Sequence, residues 1–203
     1  MRARKKATRR AGLSLLVGLL LGGLLALGQG EAQSQASRAE IPPEARDWAR
    51  AAIEQLSVAI REAVFAWPAS DLRELRLRAA RVLNVLVGEK SPEFRAPAGL
   101  PPGADGVGLL VHLERLQEAL RGPAERGNER ARSLLFALEM VQYYVAETRE
   151  ALNAVGRAEG LPRARRAFRQ ALAFLLAARG SREDPPSEGG TRALYRELEA
   201  ERP

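Results

Sequence analysis

Residues 134–152 read LLFALEMVQYYVAETREAL, and the spacing of the apolar positions in this stretch decides the fold. Leu134, Leu138, Val141, Val145 and Leu152 recur at steps of three, four and seven, which puts all five on one face of an α-helix. A second apolar set, Phe136, Met140, Tyr143 and Tyr144, lies on the other side. Either neighbouring helices cover that set and make this the central helix, or it is a contact surface. The stretch belongs to a long fourth helix that starts between Pro123 and Asn128 and ends near Gly156.

The same period recurs on both sides of it. Trp48, Ala52, Ile53, Leu56, Ala59, Ile60, Ala63 and Val64 mark a first helix of some 23 residues, which opens after Pro42-Pro43 and stops at Trp67-Pro68. Asp71, with Glu74 three residues on, predicts the cap of a second helix carrying Leu72, Leu75, Ala79, Val82, Leu83 and Leu86, closed by Gly88. Asp105 is placed to cap a third, with Leu109, Leu113, Leu116 and Leu120, closed by Gly122-Pro123. A fifth runs from Leu161 to Arg179 with Phe168, Ala171, Leu172, Leu175 and Leu176 inward and Arg163, Arg166 and Arg169 outward.

The stretch 89–104, EKSPEFRAPAGLPPGA, has four prolines, two glycines and no period, so it is a loop, and one longer than most links in a bundle. It either crosses an end of the bundle or covers something. No strand candidate is found. The expected fold is all-α, an antiparallel bundle of four to five helices with one long Pro/Gly-rich loop.

The chain opens MRARKKATRRAGLSLLVGLLLGGLLALGQGEAQSQA. Six cations precede the uncharged run Gly12–Gly28, and small residues stand at the minus-three and minus-one positions for a cut after Ala32. As a helix, that run would reach roughly 25 Å, short of a hydrocarbon core of ~30 Å. Residues 1–32 are therefore expected to be a signal peptide, with an uncleaved N-terminal anchor as the alternative. Residues 33–41 are expected to be a linker, 42–179 the helical bundle domain, and 180–203 a flexible C-terminal tail. The expected location is exported, periplasmic or extracellular, with a membrane contact only through an uncleaved N-terminal segment.

The formal charge of +7 suggests an anionic partner until its position is considered. Beyond residue 32 the chain keeps 26 cations against 24 acids, a net charge of +2, so the expectation of nucleic acid binding loses its electrostatic support. With no cysteine there is no disulfide framework, no thiolate chemistry and no thioether haem attachment. Ser, His and Asp are present, but no Gly-x-Ser-x-Gly elbow is, and any triad must use the single histidine, His112.

His112 is the sharpest chemical candidate. Paired with Met140 it would make a His/Met axial set for haem in a bundle, or a metal site with nearby carboxylates. Residue 109 is leucine, so the Glu-x-x-His motif of di-metal bundles is absent. The plainer reading is a helix-flank histidine hydrogen-bonded locally. No catalytic residue, cofactor or metal is expected. The sequence is read as an exported bacterial envelope bundle, a non-enzymatic binding or interaction module for a protein partner or a homo-oligomer. Its contact surface is Phe136, Met140, Tyr143 and Tyr144; the alternative is a metal- or haem-carrying bundle using His112 and Met140.

Overall fold

The computed structural model describes residues 40–181 and 190–200. The expected signal peptide or anchor at 1–32, all but the last two residues of the expected linker, and residues 182–189 and 201–203 of the expected tail lie outside the described residues. Within the described residues the chain forms six α-helices and one 3-10 turn, with no strand: α1 Glu44–Phe65, α2 Leu72–Val87, the turn Ala96–Ala98, α3 Leu109–Glu125, α4 Glu129–Arg157, α5 Leu161–Arg179 and α6 Thr191–Glu199. This is an all-α helical bundle. None of these helices is long and apolar enough to cross a membrane.

Side-chain pairs show neighbouring helices running antiparallel. The Gln142 amide donates to Gln117 and the Arg132 Nε to the Ala124 carbonyl, so α3 and α4 meet in reverse order. Trp48 stacks near His112 while Gln55 meets Asp105, which reverses α1 against α3. The Asp71 signal acts as the sequence predicts, whereas Asp105, expected to cap the third helix, does not: the N-cap of α3 is Gly108, with no side-chain bond. The Asp71 carboxylate accepts from the Glu74 N–H at 2.8 Å, and Asn128 accepts from the Ala131 N–H at 3.0 Å. One boundary differs: α3 continues past Gly122-Pro123 to Glu125. Pro123 sits in the last turn, where its missing N–H forgoes a single helical bond.

Two helices, α1 and α4, each pack on the same four neighbours, α2, α3, α5 and α6, and α1 has the smaller side chains. The inward face of α1 is Ala45, Ala49, Ala52, Leu56, Ala59 and Ala63, all at 0–1 % exposure. Small side chains let the surrounding helices approach closely on several sides at interior packing density. Around this spine the leucines predicted for α2, α3 and α4 close the core: Leu75, Leu83, Leu86, Leu109, Leu113, Leu116, Leu120, Leu134, Leu138 and Leu152 are all fully buried. Burying a leucine contributes about 1.5–3 kcal/mol relative to leaving it exposed. The core also begins earlier than expected, because Ile41, assigned to the linker, is buried against it.

The Pro-rich loop crosses the bundle and is fastened at both ends and along its length. Gly88 and Gly108 adopt φ of +78° and +98°. A Cβ on Gly88 would lie 2.0 Å from the Val107 carbonyl oxygen, and one on Gly108 would lie 2.6 Å from the Gly88 nitrogen. Only glycine permits this approach of the two loop ends, which is sealed by a bond from the Glu89 N–H to the Gly106 carbonyl at 2.9 Å. Asn84 of α2, fully buried, donates to the carbonyls of Arg95 and Gly99 and accepts from the Arg95 N–H. Arg61 of α1 reaches the Pro102 carbonyl, and Arg95 and Glu93 reach Asn153 and Arg149 of α4. Of the two roles open to it, the loop takes the crossing one.

The C-terminal segment departs from the expected flexible tail. Thr191–Glu199 is a helix whose Ala193, Leu194 and Leu198 are buried in the domain, and the Thr191 hydroxyl donates to the Ala178 carbonyl at 2.9 Å. A nine-residue helix is marginal in isolation, but burial of its apolar face against α1 and α4 stabilises it here.

Candidate interaction surface

The second apolar set of α4 is only partly covered. Phe136 is 56 % and Tyr143 53 % exposed, with Met140 half-buried between them. These three residues, at i, i+4 and i+7, form one line about 10 Å long on a straight stretch of the longest helix. Tyr144 is half-buried beside them; its ring stacks on Phe174 of α5 at 6.4 Å and takes Tyr143 edge-on at 5.6 Å. On the opposite flank Gln142 is tied to Gln117 of α3. Both flanks are thus bound to neighbouring helices, and the exposed crest lies between them.

Charges bracket the crest. Arg132 stands one turn before Phe136; its Nε and Nη1 are held by the Ala124 carbonyl and by Glu129. Glu139 lies beside Met140, and Glu147 one turn after Tyr143, and among the described residues neither carboxylate makes an ion pair or hydrogen bond. At the far end Glu150 pairs with Arg157 at 2.5 Å. The four residues predicted as a contact surface are therefore adjacent, with two open to solvent and two partly embedded.

His112 lies inside the bundle and Met140 on the crest of α4. His112 is buried, its ring 6.0 Å from that of Trp48 on α1 and its Nε2 2.5 Å from the Asp105 carboxylate. Its Nδ1 is buried with no hydrogen-bond partner. Asp105 takes the Nε2 of the ring, while Met140 is on the α4 crest. Among the described residues no three His, Asp or Glu side chains are grouped so as to hold a metal ion.

Asp105 does not cap α3 but ties the loop end ahead of it. One oxygen accepts from the Val107 and Gly108 N–H groups and the other meets His112, while its own N–H points to Gln55 of α1 at 3.4 Å. Partial burial pushes this carboxyl up, but the bonds from His112, Gly108 and Val107 together outweigh it and hold the group below its ordinary value. The Arg115 guanidinium sits 4.6 Å over Trp48 and closes the cluster from outside. The arrangement pins the loop end to α1 and α3.

The sequence reading missed a second exposed group. Val64, assigned to the core stripe, and Trp67, read only as a helix stop, are exposed together with Phe65. Successive residues on a helix point 100° apart, so Val64 and Phe65 do not share a face. Arg169 lies 5.1 Å over the Trp67 ring and Arg165 donates to the Ala69 carbonyl. Two arginines of α5 therefore brace the α1–α2 turn instead of standing free. A groove of about 440 Å³ between α1 and α6 is lined by Arg50, Glu54, Arg192, Tyr195, Arg196 and Glu199. Across it the Arg50 guanidinium donates to the Tyr195 hydroxyl, which donates to Glu199.

Comparison with models of protein families, with curated proteins and with solved structures finds no match to this chain.

Proposed function

We propose that this protein is a non-enzymatic interaction module, an exported bacterial envelope bundle that binds a protein through the crest of α4. The observation that carries the reading is the exposure of Phe136 and Tyr143, aligned at i and i+7 on a helix whose other apolar stripe is fully buried. Large aromatics set in line on a rigid element, with polar flanks, have the composition of a contact patch. Export rests on the basic and then apolar order of residues 1–32.

The test is a native mass spectrum of the full chain from its own host, compared with a Phe136→Ser, Tyr143→Ser variant. Because both side chains are half exposed, the variant is expected to keep its helical circular dichroism and lose the associated mass. Unfolding of the variant would make the crest part of the core, and an unchanged assembly would move the contact elsewhere; either result overturns the proposal.

A further inference from the structure

We infer that the corner of the bundle formed by the α1–α2 turn and the first half of α5 docks on an anionic lipid surface, with Trp67 in the headgroup layer and arginines of α5 on the lipid phosphates. This surface is separate from the crest of α4, so it adds a second contact to the one proposed above. Val64, Phe65 and Trp67 are 52 %, 56 % and 57 % exposed, three large apolar side chains within four residues. Val64 and Trp67 stand about 60° apart around the line of α1, on one side of the corner, while Phe65 lies toward the crossing loop beside Pro101 and Pro102. Next to Trp67 a hollow of about 200 Å³ has buried Leu75 and Phe168 as its floor and exposed Arg165 and Arg169 at its rim.

Charge complementarity names the occupant. Residues 64–76 and 158–170 hold six arginines, Arg73, Arg76, Arg163, Arg165, Arg166 and Arg169, against the acids Asp71, Glu74 and Glu159. The rest of the chain beyond residue 32 has 20 cations and 21 acids, so the whole positive excess of that part of the chain is at this corner. Of the three acids, Asp71 is engaged at the start of α2, where it accepts from the Glu74 N–H. Arg165 and Arg169 brace the turn and the Trp67 ring, yet both side chains are exposed; a guanidinium stacked on a ring keeps its charge and further N–H donors for a phosphate. Arg166, also exposed, makes no ion pair or hydrogen bond among the described residues. At 100° per residue these three arginines fall within one arc of about 100° along the outer side of α5, with Arg169 between the other two. A nucleic acid would use the arginines but leave Val64 and Phe65 without apolar cover, whereas a bilayer interface takes both, and a tryptophan ring suits the headgroup level with its apolar body and polar N–H. No described helix is long and apolar enough to cross a membrane, so this contact lies on the surface.

The apolar run of residues 12–28 can hold the full chain on any bilayer, so the readout must be local to the corner. The chain has two tryptophans, and Trp48 lies about 28 Å from Trp67 along α1. The experiment mixes the full chain with vesicles of brominated phosphatidylglycerol or of brominated phosphatidylcholine and reads tryptophan fluorescence, which bromine quenches on contact. Quenching is expected with the anionic lipid and little with the zwitterionic one, and Trp67→Phe, at an exposed position, should abolish it by removing the reporter. Arg166→Glu with Arg169→Glu should lose most of the quenching, and Arg166→Glu alone, which breaks no described bond, should lose part of it. Arg121→Glu with Arg126→Glu, an equal change of charge on α3 at the other end of the bundle, should leave it intact. Equal quenching by the two lipids, quenching that survives Trp67→Phe or the α5 reversals, or an equal loss on reversing the α3 arginines would overturn the inference. So would an absence of quenching by either lipid while the α5 reversals shed an associated chain, which would make the corner a contact for a protein.

Discussion

Replacing Asn84 by alanine should cost about 2–4 kcal/mol, and the figure follows from what that side chain holds. Asn84 is at 0 % exposure and makes three hydrogen bonds to backbone of the crossing loop, at 3.0 Å to the Arg95 carbonyl, 2.8 Å to the Gly99 carbonyl and 2.8 Å from the Arg95 N–H. At about 1 kcal/mol net for each bond, the three contribute roughly 3 kcal/mol. Alanine leaves three backbone groups without partners, which raises the cost, whereas a water entering the vacated space can rebond two of them, which lowers it. A domain stable by about 5–15 kcal/mol would lose a substantial fraction. Urea unfolding followed by far-ultraviolet circular dichroism reads the change, with an unaltered slope showing that the native state stays compact. Trypsin cleavage after Arg95 reads the loop itself, which should be cut much sooner in the variant. Arg61→Ala, which removes one exposed bond to the Pro102 carbonyl, is the control and should cost under about 1 kcal/mol. An Asn84→Ala cost no greater than that control would mean that the loop lies on the bundle without being fastened to it, and the assignment of a crossing strap would fail.

Two other perturbations follow from the fold. Asp105 has a carboxyl held below its ordinary value, so its charged form stabilises the native state at neutral pH, and that contribution is lost as pH falls through the carboxylate range. Asp105→Asn should therefore be less stable than the parent at pH 7 and converge on it near the acid limit; a gap that is constant across pH would show that His112 gains nothing from the charge. Leu194→Ala should cost about 2–3 kcal/mol, since Leu194 is fully buried, and should expose Arg192 and Arg196 to trypsin before any site in α1–α5; simultaneous cleavage everywhere would refute a separately docked α6.

What the sequence made legible was what is written locally. The bounds of α5, the Asp71 cap and the stop at Gly88 depend on residues within one turn of each other, and the structure reproduces them. Asn84 shows the converse. It stands in an apolar run, VLNVLV, and nothing nearby says that its amide binds backbone eleven and fifteen residues further on. The docking of α6 was hidden for a related reason: local propensity judges nine residues as if alone, while their burial is decided by α1 and α4.

The crest of α4 was the hardest point, because apolar spacing has the same period whether a stripe faces a neighbour or water. Which of two stripes is covered depends on where the surrounding helices lie, and the four that pack on α4 leave Phe136 and Tyr143 exposed. A discriminating signal does exist in the sequence, and it is electrostatic. Glu139 and Glu147 lie on the Phe136–Met140–Tyr143 side, whereas the Leu134–Leu138–Val141–Val145–Leu152 side has no acid in line. Burying two carboxylates on one helix face would require cations brought to both, at a desolvation cost of several kcal/mol each. The acids therefore mark the exposed side, and they leave Phe136 and Tyr143 exposed with them.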